Sequence, residues 1–170
     1  MTTELSFVQT RDLVDFRTII QELEGELGSR FPLSMASWCG IEQRPYPLPV
    51  WEVFLVAWKS QYPVGICSYY QQVSDSPDRF WLGWLGVLPM YRRHGIATRA
   101  VAEVERRVTK RGAKDLWVHT DEPNRGAIAF YLALGFTHCG RLEALGLPQA
   151  SASSESIVLK KHVSVSSANS

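Results

Sequence analysis

Apolar and polar residues alternate from Leu5 to Gln9, the period of a strand with one covered face. Leu13, Val14, Phe16, Ile19, Ile20 and Leu23 then recur at helical spacing as one apolar face, with Thr10 ahead of them as the expected N-cap. From Glu24 to Pro49 the periodicity dissolves among Gly25, Gly28, Pro32, Pro45, Pro47 and Pro49, with Phe31, Met35, Trp38 and Tyr46 interspersed. Regular structure is expected to be short or absent there. A long irregular segment in a compact domain is often functional, and this one either covers a substrate site or closes the core.

Beyond it, Trp51 to Trp58 is β-branched and aromatic, Lys59-Ser60-Gln61 reads as a turn, and Val64 to Gln72 returns as the second arm of a hairpin. Asp75 to Asp78 turns again. Phe80 to Val87 is apolar on both faces, as a central buried strand is, yet it contains Gly83 and Gly86. Glycine weakens a strand unless a bulge or a close neighbour needs the space.

Ile96, Ala97, Ala100, Val101, Val104 and Val108 mark the next amphipathic helix. Arg99, Glu103, Arg106, Arg107 and Lys110 lie on its other, solvated faces, with Glu103 and Arg107 as a favourable i,i+4 pair and Gly112 as a left-handed stop. Asp115 to Thr120 is a short strand expected to run parallel to the one before the helix, through a right-handed crossover. Asp121-Glu122-Pro123-Asn124 supplies capping groups for a helix whose residues Ala127 to Leu134 are apolar nearly all round, and which is therefore expected to be buried. Strands follow from Gly135-Phe136 to Arg141 and, after a Ser-rich connection, from Ser156 to His162. The order is βα(α)βββαβαββ, one domain over residues 1–162, with a disordered polar tail expected over 163–170.

Composition narrows the function. The chain has 170 residues, 45% of them hydrophobic, enough for one substantial core and no second domain of ordinary size. Eighteen Lys and Arg against seventeen Asp and Glu leave no global field for nucleic acid or an anionic membrane. Any anion site must be local. Cys39, Cys67 and Cys139 are odd in number, widely separated and read as small buried residues rather than metal ligands, nucleophiles or a disulfide framework. Neither a signal-peptide pattern nor an apolar run approaching about 18 residues is present, so a cytoplasmic protein is expected.

The local anion site is visible at Val87-Leu88-Pro89-Met90-Tyr91-Arg92-Arg93-His94-Gly95-Ile96-Ala97-Thr98, where an apolar strand ends, a basic glycine-bearing turn follows and a helix opens. The first N–H groups of a helix have no intrahelical partners and sit at the positive end of its dipole, so a diphosphate there gains several charge-assisted hydrogen bonds. The triphosphatase loop and the three-glycine dinucleotide fingerprint are both missing.

Arg92-x-x-Gly95-x-Ala97 resembles the Arg/Gln-x-x-Gly-x-Gly/Ala motif of the GCN5-related N-acetyltransferases (GNAT), and Asn124-x-x-Ala127-x-x-x-Tyr131-x-x-x-Gly135-Phe136 resembles the second signature of that family. The likeness covers about residues 80 to 141. It implies an α/β (α+β) acyl-CoA acyltransferase fold, a mixed and mostly antiparallel central sheet with helices on both faces. It also implies acetyl-CoA as cosubstrate, with Arg92, Arg93, His94, Gly95, Ile96, Ala97 and Thr98 around the pyrophosphate. Backbone N–H groups near Val87, on a strand that bulges, would polarise the thioester. Asn124 would meet the pantetheine arm, and Tyr131 would protonate the departing thiolate.

A free alkylamine has a pKa near ~10.4, so at neutral pH about one molecule in a thousand is nucleophilic and a base is needed. Some members that resemble this chain carry a glutamate on the strand before the asparagine, where Trp117 stands here. His119 shares that strand face and is the candidate base; Glu22, Glu26, Glu52, Asp121 and water remain open.

The expected activity is direct N-acetylation of a small-molecule amine in a ternary complex, with no cysteine intermediate. The aromatics Trp38, Tyr46, Trp51, Trp58 and Trp84 suit an enclosed acceptor site. A protein or peptide amine as acceptor, and a non-catalytic acyl-CoA binding module, stay open. A homodimer is compatible, and neither metal, membrane nor nucleic acid is expected as a partner.

Overall fold

The structure is a computed structural model that describes residues 4–40, 51–147 and 153–163. Seven strands form one sheet: β1 (Leu5–Gln9), β2 (Trp51–Lys59), β3 (Tyr62–Gln71), β4 (Arg79–Val87), β5 (Asp115–Asp121), β6 (Thr137–Arg141) and β7 (Ser156–His162). Their order is β1-β2-β3-β4-β5-β7-β6, antiparallel except for the parallel pair β4–β5. Helices α1 (Leu13–Leu27) and α2 (Arg30–Trp38) lie on one side; α3 (Ile96–Thr109) and α4 (Arg125–Ala133) lie on the other. This is the expected element order and a mixed, mostly antiparallel sheet. Among the described residues no helix is long and apolar enough to cross a membrane.

The first helix starts differently from the sequence expectation. Asp12 caps it, its Oδ1 accepting from Val14 N–H at 2.9 Å, whereas the Thr10 hydroxyl donates to Asp15 and accepts from Asp12 N–H. Phe16, Ile19 and Leu23 form its buried stripe, while Val14 is 63% exposed. The expected irregular stretch is also partly helical. α1 runs on to Leu27, and Phe31, Ser34 and Met35 repeat at i, i+3, i+4 on the buried face of α2. Pro32 falls in the first turn of α2, where a missing N–H costs nothing. The remainder of that expectation, with Pro45, Tyr46, Pro47 and Pro49, lies outside the described residues, as do the connection at 148–152 and the tail at 164–170.

α3 buries Ile96, Ala100, Val101, Val104 and Val108. Each fully buried valine contributes about 1.5–3 kcal/mol, so this stripe fastens the helix to β3, β4 and β5. Its polar side is less solvated than expected. Arg99 and Arg107 reach the carbonyls of Leu5 and Phe7 on the edge strand β1, and Glu103 holds both Arg106 and Arg107 at 2.6 Å. α4 is not the buried helix its composition suggests. Tyr131 is its one buried residue and Leu132 is 48% exposed, because the short helix touches the sheet along a single side.

Candidate active site

The parallel pair β4–β5 is registered at only three positions, Arg79 with Asp115, Phe80 with Leu116 and Trp81 with Trp117. Beyond them the two strands part. β4 continues to Val87 beside β3, leaving its other edge open in the middle of the sheet. Leu88 N–H donates to the Val64 carbonyl on β3 at 2.9 Å, and backbone groups alternate along a strand, so the N–H groups of Val87 and Leu85 point into the opening. These are the backbone donors the sequence placed near Val87.

β4 bulges just before them. Cys67 pairs with Leu85 and Tyr69 with Leu82, so Gly83 and Trp84 together oppose Ser68. The Ser68 hydroxyl replaces the lost ladder partner, accepting from Trp84 N–H at 2.8 Å and donating to Glu52 Oε1 at 3.0 Å. A Cβ on Gly83 would lie 2.2 Å from Ser68 Oγ, and one on Gly86 would lie 2.7 Å from Leu23 Cδ1 on α1. Both strand glycines therefore answer to close neighbours, one at a bulge and one under a helix.

The opening leads to the start of α3. Pro89–Tyr91 forms a single 3-10 turn, after which Arg93 (φ 64°) and Gly95 (φ 73°) are both left-handed. Left-handed residues in such a turn are the backbone geometry of anion-binding nests. The first helical hydrogen bond is Arg99 N–H to Gly95 carbonyl, no side chain caps the helix, and its first turn holds no acid. The N–H groups of Ile96, Ala97 and Thr98 thus have no helical acceptor. His94 Nδ1 lies 2.7 Å from the Arg92 carbonyl and 3.2 Å from that of Tyr91; both are acceptors, so Nδ1 carries the proton. Arg92 does not point at the nest. Its Nε donates to the Val87 carbonyl at 2.9 Å, and its other end meets both oxygens of Glu26 at 2.7 Å, tying α1 to the end of β4.

Asn124 caps α4, its Oδ1 accepting from Ala127 N–H at 3.2 Å, so a ligand would meet its NH2 end. Two turns on, Tyr131 joins the core shared by Leu82, Leu116 and Val118, with Phe130 and Phe136 at ring distances of 5.3 and 5.5 Å. Burial pushes its pKa up to about 12, and its hydroxyl has no hydrogen bond among the described residues. A buried phenol without a partner costs free energy unless a ligand supplies one.

On the opposite sheet face, Trp117 and His119 both rest on Trp81, at 5.8 and 6.1 Å between rings. Burial lowers the His119 pKa against the opposing pull of Asp121, so the ring is neutral at pH 7. Trp117 lies between the Arg79 guanidinium at 4.8 Å and the Lys160 ammonium at 5.3 Å. Among the other base candidates, Glu26 holds Arg92, Asp121 accepts from the hydroxyls of Ser153 and Ser156, and Glu22 is exposed on α1. Glu52, which sequence could not separate from the other acids, lies over the bulge.

The aromatics divide. Trp84 faces Phe31 of α2 at 5.5 Å, while Trp38 packs on Phe54 at 5.9 Å with the Arg11 guanidinium over its ring at 4.3 Å. Trp58 packs against the core beneath α1; Tyr46 and the Trp51 side chain lie outside the described residues. Cys67 is fully buried with its pKa pushed up to about 12 by burial, and burial also raises Cys39 and Cys139. None has the lowered pKa of a nucleophilic thiol.

No curated protein matches the chain by sequence. Its fold is that of the ribosomal-protein-S18-alanine N-acetyltransferase from Escherichia coli, with TM-score 0.63 and 21% identity over 98% of this chain and 97% of that one. The PaiA N-acetyltransferase from Thermoplasma acidophilum, solved in complex with coenzyme A, gives 0.64 and 15% over 94% and 99%. An aminoglycoside 6'-acetyltransferase type Ii gives 0.66 and 20% over 93% and 97%. The family model described as Acetyltransferase (GNAT) family matches residues 20–136. That match spans well over half of the sequence and takes in the split of β4 from β5, the turn before α3 and the whole of α4; the chain belongs to the GNAT acetyltransferase family.

Proposed function

We propose that this protein transfers the acetyl group of acetyl-CoA directly to the amine of a small molecule, both bound at once. Membership of the family carries the general activity, N-acetyl transfer from an acyl-CoA. The observation that supports the finer reading is the opening between β4 and β5. It presents the N–H groups of Leu85 and Val87 to one edge and ends at the uncapped start of α3.

Each part of this surface has a task in that reaction. The turn from Arg93 to Thr98 offers backbone donors to the pyrophosphate, with Arg92 and Glu26 fixing the turn rather than touching phosphate. The N–H groups of Leu85 and Val87 stabilise the oxyanion that forms at the thioester carbonyl. Asn124 meets the pantetheine arm through its NH2 end. Tyr131 gives its proton to the sulfur as the C–S bond breaks. A phenol held near 12 yields that proton to a thiolate of ~8.5 only in concert with bond cleavage, not beforehand. His119, neutral at pH 7, takes the proton from the attacking nitrogen.

Thiol release from acetyl-CoA, followed across a panel of amines, tests the reading. Amine-dependent release with matching formation of acetylated amine is expected. Affinity for coenzyme A without turnover on any amine would make the protein a binding module instead.

A further inference from the structure

Beyond the last β4–β5 pair, Val87 turns both its N–H and its carbonyl into the opening, since Leu88 N–H is the group that bonds β3. A parallel neighbour would accept from that N–H and donate to that carbonyl. β5 has parted from β4 by then, and Arg92 supplies half of what it would have given: Nε donates to the Val87 carbonyl at 2.9 Å. A guanidinium has donors only, so it cannot occupy the N–H as well. The strand edge is thereby sorted, with its acceptor at Val87 filled and its donor open.

The guanidinium is aimed from α1. Its Nη2 donates to both Glu26 oxygens at 2.7 Å, which makes the ion pair a dipole with its positive end against the strand. Both halves are anchored, although the side chains are 40% and 54% exposed. Leu23 and Leu27, on the same face of α1 as Glu26, pack over Gly86, where an added Cβ would come within 2.7 and 3.2 Å of them. Arg92 N–H donates to the Pro89 carbonyl, and the Arg92 carbonyl accepts from His94 Nδ1 at 2.7 Å. An ion pair between two loose surface side chains contributes little because ordering them costs as much as it gains. Here the backbone on each side is already fixed.

Resting on the acetyl-transfer reading above, we infer that Arg92, aimed by Glu26, is a positioning residue for the oxyanion site. It holds the end of β4 so that Val87 presents a donor to the thioester oxygen with no bare carbonyl beside it. When the amine nitrogen bonds to the thioester carbon, the π pair of C=O moves to oxygen, and it returns as the C–S bond breaks. Negative charge is therefore greatest on that oxygen between the two steps. A bare carbonyl beside the Val87 N–H would repel it, whereas one that accepts from a guanidinium repels it less. The arrangement favours the intermediate over the bound cofactor, so its loss is felt in turnover more than in affinity.

Two variants and one spectrum test this. Both side chains are half-exposed, so Arg92→Ala and Glu26→Gln leave the core intact. Acetyl-CoA carrying carbon-13 at the thioester carbonyl is bound without acceptor, and its C=O stretch is read by difference infrared spectroscopy. Calorimetry gives coenzyme A affinity, and kcat is measured on whichever of tyramine, spermidine and an alanine-terminated peptide releases thiol fastest. In the wild type the band should lie below that of free acetyl-CoA. In Arg92→Ala it should move back toward the free value, with kcat lowered about tenfold and coenzyme A affinity lowered less. Glu26→Gln should give a smaller change of the same sign, and the double variant should match Arg92→Ala, because Glu26 acts through Arg92. A loss of coenzyme A affinity with band and kcat unchanged would make Arg92 a phosphate ligand and overturn the assignment. So would a wild-type band equal to the free one, a band that neither variant moves, or a Glu26→Gln effect that adds to that of Arg92→Ala. Failure of the wild type to bind coenzyme A, or binding without turnover of any of the three amines, would instead remove the acetyl-transfer reading beneath it.

Discussion

Tyr131 is a phenol that burial keeps protonated, with a pKa raised to about 12 and a hydroxyl that meets no partner in the described protein. Tyr131→Phe removes the proposed proton donor and leaves the packing on Phe130 and Phe136. Turnover should fall by about a hundredfold, the scale of one lost general acid, with coenzyme A affinity unchanged by calorimetry. As the proposed base, His119 would carry the pH dependence. Its pKa is lowered by burial, so the ring loses its proton below the ordinary value of 6.5. Activity should hold between pH 6.5 and 8 and fall only on further acidification, and His119→Gln should abolish that acid limb in a pH–rate profile. The residues of local chemistry were legible in the sequence: Asn124, Tyr131 and the left-handed Gly95 each lie in a short motif. The partner of Arg92 was not, because Glu26 is 66 residues away and only the docking of α1 on β4 joins them. Thr10 and Asp12 both had capping chemistry, and only the phase of the first turn chose between them.

At the scale of elements, the bulge in β4 and the start of α3 are set by glycines that admit no side chain for different reasons. Gly83→Ala places a methyl 2.2 Å from Ser68 Oγ and displaces the Trp84 and Glu52 hydrogen bonds together. A loss of about 1–3 kcal/mol in denaturant unfolding is expected, with a larger loss of activity than of stability. Gly95→Ala meets open space but keeps a φ of 73°, so its cost is about 1–2 kcal/mol of backbone strain at the anion turn itself. On the far side of α3, Glu103 joins Arg106 and Arg107, the latter reaching on to β1. Its pKa is lowered, first by the Arg106 hydrogen bond against the cost of burial. It therefore contributes stability above the ordinary value of 4.5, and loses it as pH falls through its lower folded value. Glu103→Gln should unfold more readily at pH 7, and the difference from wild type should vanish in acid. Periodicity announced α3 and every strand to within about two residues. It gave no bounds to α2, whose nine residues offer too few repeats to stand out among prolines, and it overstated the burial of α4, since an apolar composition says nothing about how many neighbours a helix meets.

For the whole molecule, the decisive event is a parallel pair that stops after three positions in an otherwise continuous sheet. Motif order singled out β4, α3 and α4, but no residue states where two strands part, because pairing is decided between segments distant in the chain. The place of Glu52 was less legible, because its carboxylate meets Ser68 on the neighbouring strand. A ligand bound through α3, β4 and α4 at once should stabilise the fold as a unit. At a hundred times Kd the gain is about 2.7 kcal/mol, read as a raised melting temperature. The most direct test is calorimetric titration with coenzyme A beside pantetheine, which lacks the diphosphate. If the turn from Arg93 to Thr98 holds that diphosphate, one coenzyme A binds per chain and pantetheine binds at least a hundredfold more weakly. Equal affinity for the two, or no heat with either, would contradict the account.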